Sequence, residues 1–206
     1  MPDSPQNDAS VRITGISGSR RVGSYTRMAV EAALRGAAET RAITRLIDLA
    51  ELDLAFAGAG GNKGPDFEGL SRAVKESDGI VLGTPEYHGS FSGVLKNALD
   101  LMGFEEFEGK MLGLVGVSGG AMGAFEGINS LRNVGRALHA WVVPEQAAVP
   151  EAWKVFDESG AVKDARIETR LKEVGRQVAR FAWLHKSAAA NEFLKKWEEA
   201  PPNPGG

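Results

Sequence analysis

Five short apolar runs, each too brief to be a helix, are separated along this 206-residue chain by stretches with helical spacing. The runs cover 11–16, 42–48, 79–83, 111–117 and 141–143. Between them, 24–34 sets Met28, Val30, Ala32 and Leu34 in helical register, and 70–77 reads as a short helix. Further helices run from about residue 91 to 102 and over 121–138. Ile167, Leu171, Val174, Val178 and Phe181, with Leu184 or His185, make the apolar stripe of a long last helix.

A chain that alternates in this way joins its strands by crossovers, which leaves the strands parallel and both sheet faces covered by helices. Five strands suit the flavodoxin-like order 2-1-3-4-5, a three-layer α/β sandwich whose switch point lies between the first and third strands. Ligands of such sheets bind at the carboxyl ends of the strands. The loops after the first, third and fourth strands are therefore where chemistry is expected.

The length suits one domain with a substantial core, and no internal repeat or second core interrupts residues 11–199. Residues 1–10, polar with Pro2 and Pro5, are expected to be a disordered arm and not a secretory leader. The Pro- and Gly-rich stretch 200–206 is expected to be a flexible tail. A formal net charge of -3 without a basic stripe speaks against nucleic acid as a partner, and no apolar run is long enough to cross a membrane. The chain has no cysteine, which removes disulfides, thiolate nucleophiles, iron–sulfur clusters and cysteine-bound zinc. No metal site is expected, and the expected location is cytoplasmic.

Gly15-Ile16-Ser17-Gly18-Ser19-Arg20-Arg21-Val22-Gly23-Ser24-Tyr25-Thr26-Arg27 joins the first strand to the first helix. Backbone N–H groups at a helix start, with hydroxyls beside them, make an anion site. Ser17, Ser19 and Ser24 supply hydroxyls, and Arg20 or Arg27 a guanidinium that can fork onto phosphate oxygens. The plainer reading is an ordinary turn with Ser24 as helix N-cap. Gly15, Gly18 and Gly23 miss the G-x-G-x-x-G spacing of a dinucleotide fold. Gly18 and Gly23 have P-loop spacing, but Ser24 stands where that motif needs lysine. A single terminal phosphate, such as that of FMN, remains. Asp48, closing the second strand, sits where a dinucleotide fold keeps its ribose-binding acid. Without the glycines it reads as a helix cap or a solvated side chain.

Thr84-Pro85-Glu86-Tyr87-His88-Gly89-Ser90-Phe91-Ser92-Gly93 leaves the third strand through a proline, an acid, an aromatic and small residues. That composition suits a grip on something flat. Val117-Ser118-Gly119-Gly120-Ala121-Met122-Gly123 is the turn after the fourth strand, beside the same crevice.

Together these loops resemble the NADPH-dependent FMN reductase family, flavodoxin-like enzymes that include chromate, quinone and azo-dye reductases. The resemblance is carried by Gly18-Ser19-Arg20 with Ser24 and Arg27, by Thr84-Pro85-Glu86-Tyr87 with Ser90, Gly93, Leu95-Lys96-Asn97 and Asp100, and more loosely by 117–123. It covers roughly residues 11–150. It implies that the first loop holds the FMN phosphate and that Pro85, Glu86, Tyr87 and His88 border the isoalloxazine ring. Ser118, Gly119 and Gly120 then bring backbone groups to the ring's pyrimidine edge, where a helix starting near Ala121 favours the negative charge of reduced flavin. At His88 the chain departs from the family, many of whose members carry asparagine.

The activity so implied is an FMN-dependent NAD(P)H oxidoreductase, passing hydride from NADPH or NADH through bound FMN to a quinone, another flavin, an azo compound or a metal oxyanion. The hard chemistry is the cofactor's, so no catalytic side chain is expected. Members of the family are commonly dimers or tetramers, so a homodimer or homotetramer is expected. Phe104 and Phe107, interleaved with Glu105 and Glu106, suit such an interface or a cap over the core. A flavodoxin-type electron carrier and a flavin-binding module without reductase activity are the competing readings. The first-loop arginines and the mild charge oppose the carrier.

Several residues carry a plainer expectation beside the sharper one. The Glu86 carboxylate opposes a reduced flavin anion and suits a helix or interface partner. His88 suits a loop hydrogen bond more than a proton donor, and Tyr87 either stacks on flavin or is a half-buried loop aromatic. Lys96 and Asp100 have ion-pair spacing, while Asn97 is a candidate tie to the 84–90 loop. Trp141 and Trp153 read as core or interface, and 58–64 as a lid or plain surface. Arg20 and Arg21 also offer partners for the 2′-phosphate of NADPH, with Arg20 assigned to FMN.

Overall fold

Strands β1 (Arg12–Ser17), β2 (Ile43–Asp48), β3 (Gly79–Tyr87), β5 (Met111–Val117) and β6 (Trp141–Val149) pair in parallel in the order β2-β1-β3-β5-β6. A short β4 (Ser90–Phe91) pairs antiparallel with the end of β3. With β4 set aside, this is the 2-1-3-4-5 order read from the sequence. These relations come from a computed structural model that describes residues 10–187 together with Glu192 and Lys195. Apart from Ser10, the expected arm and tail lie outside the described residues.

Helices α1 (Tyr25–Ala38) and α7 (Ala165–Lys186) cover one face, where Val30, Ala33, Val174 and Val178 share a core with Ile13, Val81 and Val115. On the other face, α2 (Phe67–Lys75), α3 (Gly93–Leu101) and α5 (Phe125–Ala137) bring Leu70, Leu95, Leu99, Ile128 and Leu131 against Ile16, Leu82 and Leu114. Because both faces are buried, β5 reads as an unbroken apolar run and not as an alternation. The α1–α7 crossing is close because Gly36 and Gly175 face it: a Cβ on either would run into the backbone of the other helix, at Lys172 and Ala33 respectively. Two four-residue helices, α4 (Phe104–Phe107) and α6 (Ala152–Val155), complete the chain. Phe107 is fully buried, whereas Phe104 is exposed and stacks on His139 with centroids 4.4 Å apart.

The structure departs from the sequence reading in four places. β3 runs on to Tyr87, four residues past Gly83, and takes in Pro85. Pairing with β1 ends at Gly83 while pairing with β5 continues to Pro85, so Pro85 lies where β3 has become an edge and a missing N–H costs little. The expected loop is thus a hairpin. His88 (φ 53°) and Gly89 (φ 75°) form its two-residue turn between the paired Tyr87 and Ser90, as a type I′ turn requires. α5 begins at Phe125, not near Ala121. Finally, β6 extends to Val149 through an irregularity opposite Gly113. Arg132 steadies it, donating to the carbonyls of Val143 and Pro144 and, at 2.8 Å, to Gln146 Oε1.

Candidate functional site

The carboxyl ends of β1, β3 and β5 open into a cavity of about 370 Å³ at the switch point. The first loop contributes Ser19, Arg21, Ser24, Tyr25 and Thr26, the β3 end Pro85, Glu86 and Tyr87, and the β5 end Val117, Ser118 and Gly119. Ala152 and Trp153, after β6, close the far side. A larger cavity of about 560 Å³, lined by Arg41, Arg176 and Trp183, includes Val11, just before β1, and so lies away from the strand carboxyl ends.

Three hydrogen bonds fix the first loop. Gly18 N donates to Gly83 O at 2.8 Å, the Ser92 hydroxyl donates to Gly18 O at 2.6 Å, and Arg21 N donates to Ser19 Oγ at 3.3 Å. Gly18 is needed there, because a Cβ would lie 2.7 Å from that of Leu95 and 2.9 Å from the Gly83 carbonyl. Ser24 is the N-cap of α1, its oxygen accepting from Arg27 N at 3.3 Å. That leaves its hydroxyl hydrogen to donate elsewhere. Tyr25 and Thr26 open the helix, so their N–H groups have no intrahelical acceptor. The capping and anion-binding readings of Ser24 are therefore compatible.

The arginines do not stand as expected. Arg21 lines the cavity, 5.7 Å from the Tyr25 ring centroid, in reach of a cation–π contact. Arg20 lines the neighbouring groove instead. Arg27 is held by three carboxylates, Glu51 at 2.8 Å, Glu31 at 3.1 Å and Asp48 at 3.1 Å. Those hydrogen bonds, that to Glu51 foremost, raise it above the ordinary arginine value. It lines the neighbouring groove and not the cavity. Ser17 is fully buried, and its hydroxyl is the one buried side-chain polar atom among the described residues without a hydrogen-bond partner.

At the β3 end, Thr84 Oγ1 accepts from Ser92 N at 2.9 Å and donates to Pro85 O at 2.8 Å, locking the hairpin. Glu86 accepts from Gly127 N in the first turn of α5 at 3.0 Å, so it caps that helix from the cavity wall. Tyr87 is exposed on the rim. His88 is exposed in the turn and absent from the cavity lining. Its left-handed backbone is one that histidine and asparagine tolerate better than most residues, which accounts for the residue type without a ligand. Asn97 ties down a different loop from the one expected, accepting from Ala57 N at 2.8 Å and donating to Ala55 O at 3.0 Å. Lys96 and Asp100 form the expected ion pair at 2.7 Å.

In the third loop, Gly120 N donates to Ser118 Oγ at 3.0 Å, and Gly120 does not line the cavity. Gly119 is open, with nothing within 4 Å of where a Cβ would stand. With α5 starting at Phe125 and capped by Glu86, helix polarity cannot be assigned to this loop as the sequence suggested. Trp153, read as core or interface, is exposed on the cavity wall, with Lys154 Nζ 4.8 Å from its ring centroid. No local motif marks it, since it reaches the site only through the path of β6. Tyr25 and Thr26 belong to the anion loop without any mark of their own in the sequence, and only their orientation at the helix start selects them.

Strand order and cavity together define a flavodoxin-like α/β domain with its ligand site at the switch point. The chain belongs to the NADPH-dependent FMN reductase family, whose model matches residues 11–154. It is 30% identical over 203 residues to "NADPH-dependent FMN reductase ArsH" of Shigella flexneri, covering 95% of this chain and 77% of that one. It is also 37% identical over 151 residues to an FMN-dependent NADPH-azoreductase of Staphylococcus saprophyticus, covering 69% and 79% respectively. In fold it is similar to an oxidoreductase of Corynebacterium diphtheriae, with a TM-score of 0.69, 21% identity, and coverage of 86% of this chain and 99% of the other. The protein is an FMN-dependent NAD(P)H oxidoreductase, with FMN as cofactor and NADPH as co-substrate. The site's own chemistry fits that cofactor, with a helix start whose donors are free beside the Ser19 and Ser24 hydroxyls and an open glycine at 119, whereas Ser17, read as a phosphate ligand, is buried outside the cavity lining.

Proposed function

We propose that the cavity holds FMN with its phosphate on the hydroxyls of Ser19, Ser24 and Thr26, the N–H groups opening α1, and Arg21. The ring then lies between the Pro85–Tyr87 hairpin arm and the Ser118–Gly119 turn. The single observation that carries this reading is that one cavity joins a helix start bearing hydroxyls and an arginine to a flat-sided opening lined by Tyr87 and Trp153. FMN, when bound, supplies reversible hydride acceptance. The chain's own residues bind and orient: Ser24 donates to the phosphate and Arg21 offsets part of its charge, Glu86 fixes the hairpin to α5, and Tyr87 and Trp153 wall the face on which substrates lie.

NADPH and the electron acceptor take turns on that open face. The acceptor class we favour is a small molecule with a flat or compact electron-deficient centre: a quinone, another flavin, an azo compound or a metal oxyanion. We further propose a cytoplasmic homodimer or homotetramer. The exposed apolar side chains of Phe56, Met122 and Phe125 support an assembly. No helix among the described residues is long and apolar enough to cross a membrane.

The test is the visible spectrum of the purified protein with added FMN, followed by NADPH oxidation with a quinone. A yellow, FMN-saturable protein that oxidises NADPH only when flavin is present supports the reading. A protein that stays colourless after FMN addition and gel filtration, and that oxidises no NADPH, overturns it.

A further inference from the structure

We infer that the cavity of about 560 Å³ at the amino ends of the strands is a second ligand site, suited to a flat aromatic acid, a ring system bearing one carboxylate. Its volume is that of a small-molecule site, about 300–1,000 Å³. It stands apart from the flavin reading, because it shares no lining residue with the switch-point cavity and lies toward the other end of the sheet.

The walls come from Ser10 and Val11 ahead of β1, from the turn after α1, and from α7. The charges among them do not cancel. Glu173 is the one acid of the lining among the described residues, and Arg176 takes it, donating at 3.4 Å while also donating to Glu39. Arg41, on the turn, and Arg180, on α7, are exposed and make no side-chain hydrogen bond or ion pair with a described residue. Arg180 has only the ring of its neighbour Phe181, 6.0 Å away. Two positive charges are thus left over in a chain whose formal net charge is -3, and they favour an anion. Nor does the turn itself call for Arg41. At φ 67° it occupies the left-handed region, where glycine or asparagine would be less strained.

The rest of the lining says what kind of anion. Val11 and Ala179 are buried and give an apolar floor, and Trp183 stands half exposed beside the cavity. An indole face suits a stacked ring. The polar side chains are already engaged: Thr40 donates to Ala37 O at 2.7 Å, and Gln177 Oε1 accepts from Glu145 N at 3.3 Å. Little remains to satisfy the hydroxyls of a sugar or the edge of a base, and burying those unpaired is costly. A nucleotide is therefore a poor fit. A ring with one acidic group needs only an aromatic face, an apolar floor and a guanidinium fork.

The probe is 2-naphthoate, with uncharged 2-naphthamide as its control, titrated by calorimetry in excess FMN, which keeps the switch-point cavity filled. Saturable 1:1 binding of naphthoate is expected, with naphthamide weaker by roughly tenfold or more. Arg41→Gln and Arg180→Gln should each weaken naphthoate about tenfold and leave naphthamide binding, FMN affinity and NADPH oxidation unchanged. Trp183→Leu should weaken both probes. Absence of saturable binding, equal affinity for the two probes, or naphthoate binding indifferent to Arg41 and Arg180 overturns the inference. Two other occupants would overturn it as well. Much tighter naphthoate binding by Asp8→Asn would give the cavity to the segment ahead of Ser10, and naphthoate affinity that falls as protein concentration rises would give it to a second copy of the chain.

Discussion

The Ser92 hydroxyl donates to the Gly18 carbonyl at 2.6 Å while its oxygen accepts from Leu95 N at 3.1 Å, so one side chain joins the first loop to the start of α3. Ser92 N in turn donates to Thr84 Oγ1, which brings the β3 hairpin into the same cluster. Two walls of the switch-point cavity are therefore held by a single residue that does not line it.

Ser92→Ala removes a helix N-cap, worth about 1 kcal/mol, and leaves the buried Gly18 carbonyl without its donor, worth about 1–3 kcal/mol. Urea unfolding should show a loss of roughly 2–4 kcal/mol, and FMN affinity should fall in the same variant. A Ser92→Ala protein with wild-type stability and affinity would show that the two loops are held independently.

Arg21 and Arg27 should separate cleanly. Removing a charge-assisted phosphate contact costs about 1.5–3 kcal/mol, so Arg21→Ala should weaken FMN binding by roughly ten- to a hundredfold with little change in stability. Arg27→Ala instead strands the buried Asp48 carboxylate and should cost stability, on the order of 1–3 kcal/mol. Fluorescence titration with FMN and a chemical melt check the two halves. The opposite pattern would make Arg27 the phosphate ligand after all.

The alternation of apolar runs and helical stripes carried the strand order, because parallel strands buried on both faces need unbroken apolar sequence. The start of α1 was equally readable, from Ser24 as its N-cap. What did not show was orientation. Arg20 and Arg21 are neighbours in sequence, and only the loop's path lets Arg21 reach the cavity while Arg20 lines only the groove. Pro85 read as a strand breaker because nothing local reveals that β1 stops pairing two residues earlier. Trp153 lay beyond reach for a similar reason, as its approach depends on the nine residues of β6.

His88 sits in the turn and outside the cavity, so His88→Asn should keep nearly full NADPH–quinone reductase activity and near-equal stability. Gly119→Val should do more harm, since it fills the open side of the third loop with a β-branched side chain. Steady-state kinetics at saturating FMN decide the matter. Loss of flavin reduction in His88→Asn with FMN still bound would give the histidine a direct part in proton transfer.

Glu106 supplies the acid limb of stability. Burial pushes its carboxyl up, but hydrogen bonds from Ser71, Gly103 N and Lys75 outweigh that and hold it below the ordinary glutamate value. A depressed folded value means that the unfolded chain takes up protons first, so the contribution is complete above the unfolded value, about 4.3, and fades as pH falls through the folded one. The stability gap between wild type and Glu106→Gln should be constant near neutrality and shrink below about pH 4.3. A gap independent of pH down to full acid unfolding would remove Glu106 from that limb.

We propose that the switch-point cavity binds FMN where NADPH can reduce it. The most direct test is anaerobic addition of one equivalent of NADPH to the FMN-loaded wild type and to Arg21→Ala, both brought to the same FMN occupancy beforehand, with the flavin absorbance followed in time. Rapid, stoichiometric bleaching is expected in both proteins, with release of FMN from Arg21→Ala alone on dilution. Bound FMN that stays oxidised in the wild type, or FMN whose retention is indifferent to Arg21, would contradict it.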